Sequence, residues 1–253
     1  MRGRYLSEFK FSIFIFLCVT SLKSFSTNIN NGPDTVLGNE TGAVSSVSGP
    51  RSVTVSMDGC LFRIALKNSQ NFLFNAPDIV FYESKTVLKN LPYLWQAEKS
   101  AGYDWAFQKP GNLNDRWFGL MCEGAENLSW NAASASKQHE EPTPEQQQIR
   151  NSNDLKCPAK IRDGKWVLND QGMSPENYLF KELKGTNWNG FVIGYKDKKS
   201  RSALQSLRFC LMHDNDVVIG ASENYPKPLS MPISFFDTVQ NLLSTVEFLG
   251  DKK

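Results

Sequence analysis

Residues 204–249 read LQSLRFCLMHDNDVVIGASENYPKPLSMPISFFDTVQNLLSTVEFL, and the patterns inside this stretch decide the fold. Leu207, Phe209 and Leu211 alternate with Ser206, Arg208 and Cys210, the period of a strand with one apolar face. The run His213-Asp214-Asn215-Asp216 interrupts it with residues that tolerate tight turns, and residues 217–221 resume it, which predicts a β-hairpin. Beyond Pro226, Pro228 and Pro232, Ser234 is placed to cap a helix with Asp237 completing a variant capping box. Phe235, Val239, Leu242, Leu243 and Val246 then share one helical face. A hairpin followed by an amphipathic helix is a sheet with its cover. The expectation is an α+β fold, mainly antiparallel sheet packed by helices and closed by a C-terminal amphipathic helix.

The N-terminus sets the compartment. Arg2, Arg4 and Lys10 precede the apolar residues 11–19, and Ser24-Phe25-Ser26 supplies small residues for cleavage, the three-part pattern of a signal peptide over residues 1–26. The apolar run is about half of what a membrane-spanning helix needs. Leu17 before Cys18 is too large for a lipoprotein signal. The segment carries Arg2, Arg4, Lys10 and Lys23 against Glu8, so the formal charge of +2 becomes −1 once it is removed. A near-neutral mature chain lacks the basic footprint of a nucleic-acid or anionic-membrane binder.

Working outward, residues 27–50 are small, polar and without period, and read as a flexible leader to a single domain over residues 51–253. Val53, Val55 and Met57 alternate before Asp58-Gly59, and Cys60, Phe62, Ile64 and Leu66 alternate after it, a second hairpin. Short strands are expected at residues 72–74, 79–82, 116–123, 165–168, 178–183 and 188–196. Residues 83–101 are helical in composition, split at Pro92. Residues 103–114 read as a loop carrying Trp105, and residues 130–155 as a polar, unstructured insertion.

Four cysteines survive signal removal: Cys60, Cys122, Cys157 and Cys210. An even number in an exported chain predicts two disulfides with three possible connectivities. The preferred one pairs Cys122 with Cys157 at the base of the insertion and Cys60 with Cys210 across the sheet. Their spacing does not match a structural zinc site, and no metal or other cofactor is expected.

No catalytic signature stands out. His139 lies in the polar insertion beside Glu140 and Glu141 without metalloprotease spacing, and His213 beside Asp214 is accounted for by turn chemistry. Glu123 with Glu126, and Glu140 with Glu141, pair carboxylates without a facing partner. Asp214, Asn215 and Asp216 lack the spacing of a calcium loop. Asn39-Glu40-Thr41 and Asn127-Leu128-Ser129 fit a glycosylation sequon. The surplus is aromatic, with 6 tryptophans and 17 phenylalanines. Trp105, Arg116, Trp117 and Trp130 cluster around a Pro-Gly loop and the insertion, and are the expected partner-binding residues because Trp and Arg dominate interface energetics.

The segments NWNGF (187–191), LRFCLMHDNDVVIGASE (207–223) and STVEF (244–248) resemble the strand–hairpin–helix endings of small exported bacterial proteins. Among these are periplasmic immunity proteins that neutralise type VI secretion toxins, some with a PsbP/Mog1-like sandwich. The resemblance implies that sandwich, a bacterial effector toxin as protein partner, and no catalytic residue. The expected function is thus a non-enzymatic, periplasmic (or secreted) toxin inhibitor that plugs its partner's active site with the insertion or the Trp105 loop. The alternatives are an envelope hydrolase and a glycan or small-ligand binding module.

Overall fold

The alternating residues 207–211 form part of an inner strand of a nine-stranded sheet that is buried on both faces. The computed structural model describes residues 35–57, 59–76, 78–99, 102–130, 142–169 and 172–250, with the backbone alone at residues 97–99, 102 and 103. The signal segment, residues 27–34 and His139 lie outside the described residues.

The chain begins with β1 (Thr35–Gly38), β2 (Ser46–Ser48), β3 (Arg51–Met57), β4 (Cys60–Leu66), β5 (Gln70–Asn75) and β6 (Asp78–Glu83). It continues through β7 (Tyr93–Lys99), β8 (Gly102–Gln108), β9 (Trp117–Gly124) and helix α1 (Pro144–Lys156). Two hairpins follow, β10 (Ala159–Arg162) with β11 (Lys165–Leu168), and β12 (Tyr178–Lys184) with β13 (Asn189–Lys196). The chain closes with β14 (Ala203–His213), β15 (Asp216–Ser222), β16 (Met231–Pro232), helix α2 (Ser234–Leu243) and β17 (Glu247–Phe248). The large sheet runs β12-β13-β14-β15-β9-β6-β5-β2, with β16 attached to β14. A smaller sheet runs β1-β3-β4-β17, and β7–β8 and β10–β11 are separate ribbons.

The front face of the large sheet carries Phe81, Phe118 and Phe209. Phe81 lies opposite Phe118 in register and stacks on it at 4.6 Å between ring centroids, and Phe209 meets Phe118 edge-on at 5.0 Å. Phe235 of α2 reaches Phe81 at 6.5 Å. Cys122 shares the parity of Phe118 and Leu120 along β9, and its disulfide to Cys60 of β4 fastens the small sheet over this face.

The back face is covered by the β7–β8 ribbon, α1 and the β10–β11 hairpin. Phe107 of β8 lies directly on Gly119 of β9, where a Cβ would stand only 2.2 Å from its ring. Trp166 of β11 packs on Phe191 of β13 at 5.1 Å and donates from Nε1 to Asn189 Oδ1 at 2.7 Å. Cys157, just past α1, is bonded to Cys210 of β14.

Several expectations are corrected here. The connectivity is Cys60–Cys122 and Cys157–Cys210, because a β-sheet separates Cys122 on the front from Cys157 and Cys210 on the back. Residues 35–50 are not a flexible leader: β1 pairs parallel to β3, and β2 pairs with β5. Residues 93–108 form a two-stranded ribbon, not a helix and a loop, because alternate residues Leu94, Trp105 and Phe107 bury one side of it. Residues 144–156 of the insertion are helical, and residues 131–141 lie outside the described residues. Ser234 does not cap α2; Ile233 precedes the helix and no side chain caps it.

Replacing Gly119 with Ala forces a methyl into the Phe107 ring. Gly119→Ala is expected to lower stability by about 1–3 kcal/mol, the usual range for overpacking, read as a lower urea midpoint. An unchanged midpoint would show that the ribbon does not dock there.

Candidate functional site

The site begins with helix α1, whose buried face is polar. Ser152, Asn153 and Lys156 recur at helical spacing and are each at most 5% exposed. Asn153 takes a hydrogen bond from Trp105 Nε1 at 2.9 Å and donates to Asn127 O at 3.1 Å. Arg150 donates to Glu126 O at 2.9 Å, and Asp154 accepts from Ser129 N at 3.1 Å. Thr143 starts the helix through a reciprocal capping box with Gln146, and Pro144 follows in the first turn.

The last residue of α1 enters an ion cluster. Lys156 Nζ donates to one oxygen of Glu223 and lies 5.4 Å from the Trp105 ring centroid. Arg208 Nη2 donates to the other Glu223 oxygen at 2.8 Å, and its Nη1 donates to Leu155 O. Arg208 in turn sits over the Tyr195 ring at 5.4 Å. Three elements, α1, β14 and the end of β15, are thereby joined by one carboxylate.

Burial alone would push the Glu223 carboxyl up, but the Arg208 guanidinium and the Lys156 ammonium outweigh it and hold the group below the ordinary glutamate range. Burial pulls the Lys156 ammonium below its usual value, with Arg208 adding to the effect and Glu223 opposing it. Stability from Glu223 is therefore fully present above the ordinary glutamate value and is lost as pH falls through the depressed folded one. The sign for Lys156 is opposite: burying its charge costs stability at neutral pH. The cluster positions groups more than it stabilises the fold.

Beside this cluster opens a cavity of about 780 Å³. The ribbon lines one side with Trp95, Asp104, Ala106 and Gln108. Lys156, Glu223, Asn224 and Tyr225 line the other. Trp95 and Ala106 are cross-strand partners, and so are Tyr93 and Gln108, so the outer side of the ribbon faces the cleft while Leu94 and Phe107 turn to the core. Tyr225, on the loop after β15, is 81% exposed, and Asn224 Nδ2 donates to Lys227 O at 2.9 Å.

The residues expected to bind a partner are placed differently. Trp105 and Trp117 are fully buried, since both point inward from strands. Trp130 is half-buried and meets Trp166 edge-on at 5.1 Å. Arg116 is bound to Glu83 at 2.7 Å. These four do not form one surface; Trp105 instead forms the floor under Lys156. His213 is a structural residue, with Nδ1 2.7 Å from Asn187 O and its ring stacked on Phe248 at 4.8 Å. Glu123 accepts from Asn127 Nδ2 at 3.0 Å, and burial, with Glu126 adding, pushes its carboxyl up; neither carboxylate lines the cavity. Among the described residues no group of three or more His, Cys, Asp and Glu is placed to hold a metal ion. No described helix is long and apolar enough to cross a membrane.

Sequence reasoning passed over Trp95, Asp104, Gln108, Lys156, Glu223 and Tyr225. The signal that was available was the Thr-Pro-Glu-Gln start of α1, which would have brought Lys156 onto a helix end beside Cys157. No protein-family model, no curated protein and no solved structure matches this chain.

Glu223→Ala removes the carboxylate shared by Lys156 and Arg208 and is expected to cost about 3–5 kcal/mol at neutral pH. Urea melts from neutral to acid pH check this: the loss should shrink as the wild type itself loses the carboxylate charge. A loss of the same size at every pH would show that the charge plays no part.

Proposed function

We propose that the protein is an exported, non-enzymatic binding protein whose recognition site is the cleft between the β7–β8 ribbon and the end of β15. The observation that carries this reading is the cleft itself. Its volume lies in the range of small-ligand sites, about 300–1,000 Å³, and it carries a half-exposed Trp95 and an exposed Tyr225. Two disulfides fit an exported protein, with the periplasm as the proposed compartment.

Among the described residues the lining holds no Ser, Thr, Cys or His. A carboxylate hydrolase needs one protonated acid. Glu223 is tied to two cations that favour its ionised form, which suits holding a ligand better than cleaving one. Because Trp105 is inside the body, a concave site is favoured over a plug built on the Trp105 segment. The toxin-inhibitor form of this reading, with its PsbP/Mog1-like sandwich, rests on the C-terminal resemblance, and a protein partner is one outcome of the test below.

The test is retention of material from an envelope extract of the producing organism on immobilised protein. The wild type should retain an unaltered component that a Trp95→Ala, Tyr225→Ala double variant releases. Retention indifferent to both residues, or conversion of the retained material in excess of the protein, would contradict the proposal.

A further inference from the structure

We infer that the outer edge of β12 joins a second copy of this chain in an antiparallel, two-fold dimer, through a contact that shares no residue with the cleft. The large sheet ends on one side in β2, 3 residues long, and on the other in β12, 7 residues long. The smaller sheet ends in β1, of 4 residues, and β17, of 2. β12 is thus the longest outer strand of either sheet. It pairs with β13 on its inner side, and among the described residues no other hydrogen bond reaches its backbone. An edge of unmet N–H and C=O groups is a template for another strand. Tyr178, Leu179 and Phe180 remain half-buried along it.

Charge decides what completes the edge. β12 and the turn before it carry Lys181 and Lys184 against Glu176 and Glu182, a balance of signs that a wholly acidic or wholly basic strand would not match. A strand that pairs with its own copy about a two-fold axis sets one residue opposite itself, and opposed side chains share a face. Centred on Lys181, the pairing brings two ammonium groups together; centred on Glu182, two carboxylates. Centres nearer the ends of β12 leave 3 pairs or fewer. Centred on Phe180, residues 178–182 pair without like charges: Phe180 meets Phe180, Leu179 meets Lys181, and Tyr178 meets Glu182. The same register, carried past the strand end, sets Lys184 of each copy opposite Glu176 of the other.

Both faces of the sheet suit this register. Tyr178 and Phe180 lie on the back with Phe191, on which Phe180 already stacks at 5.6 Å, so the two Phe180 rings extend an aromatic row. Glu182 is fixed there by the bond from Trp166 N to its Oε2 at 3.2 Å. On the front, the aliphatic stem of Lys181 from the copy covers Leu179 while its ammonium stays in water. The Lys184 side chain is 68% exposed, and Glu176 is exposed in the 3-10 turn Pro175–Asn177 that leads into β12. The contact is small, so the dimer is a weak one.

The experiment is sedimentation of the full exported protein over about 1–100 µM, the range in which a weak dimer dissociates. The mass should rise from one chain to two and stop there, because a two-fold contact uses the same edge on both copies. Glu176→Lys and Lys184→Glu should each weaken the dimer about tenfold, since each reversal is felt twice across the axis. The two reversals together should restore it. Both residues are exposed, so the changes leave the fold intact. A chain that stays monomeric throughout, or assembles beyond two copies, overturns the inference. So does a dimer that ignores the single reversals or is not restored by the double one.

Discussion

Burial of one large sheet on both faces is the constraint from which the rest of this structure follows. A sheet exposed on one side can alternate apolar and polar residues and stop there. Here β13, β14, β15 and β9 are buried on both sides, so each face needs a cover. On the front, α2 and the small sheet supply aromatic and aliphatic packing around Phe81, Phe118 and Phe209. On the back, the ribbon, α1 and the β10–β11 hairpin divide the area among three smaller pieces. One disulfide fastens a cover on each side. Each closes a loop of more than 50 residues, with separations of 62 and 53, for which the chain-entropy argument gives about 4 kcal/mol.

The back cover is where the fold and the proposed binding cleft meet. Helix α1 contributes little apolar surface; its contact face is Ser152, Asn153 and Lys156. It is held by hydrogen bonds, by the Glu223 ion cluster and by the covalent bond at Cys157. A polar face is a weak source of stability but a specific one, since its partners tolerate few orientations. The same contacts place Lys156 and Glu223 at the cleft and seat Trp105 beneath them. The cleft is thus bounded by elements whose relative position is set from behind.

Much of this was legible in the chain. The hairpins were, because the turn pairs Asp58-Gly59 and Asp214-Asn215 separate runs of clean alternation. Helix α2 was, because Phe235, Val239, Leu242 and Leu243 recur at helical spacing. Helix α1 was not, because its periodicity is carried by polar side chains that a search for apolar faces passes over. The ribbon was hidden for a related reason: Leu94 lies on β7 and Trp105 and Phe107 on β8, and Leu94 joins their side only after the two strands pair. The disulfides could have been sorted correctly. If Leu207, Phe209 and Leu211 face the front, Cys210 must face the back, and a partner on the front cover is excluded. The cleft residues come from β7, β8, α1 and the loop after β15, and no local motif links them.

The two-cover arrangement is tested most directly by disulfide mapping, through proteolysis of the unreduced protein and mass spectrometry of the linked peptides. The account predicts Cys60 linked to Cys122 and Cys157 linked to Cys210, one staple for each face. A Cys122–Cys157 or Cys60–Cys210 linkage would require a bond through the sheet and would contradict it, as would four free thiols in the exported protein.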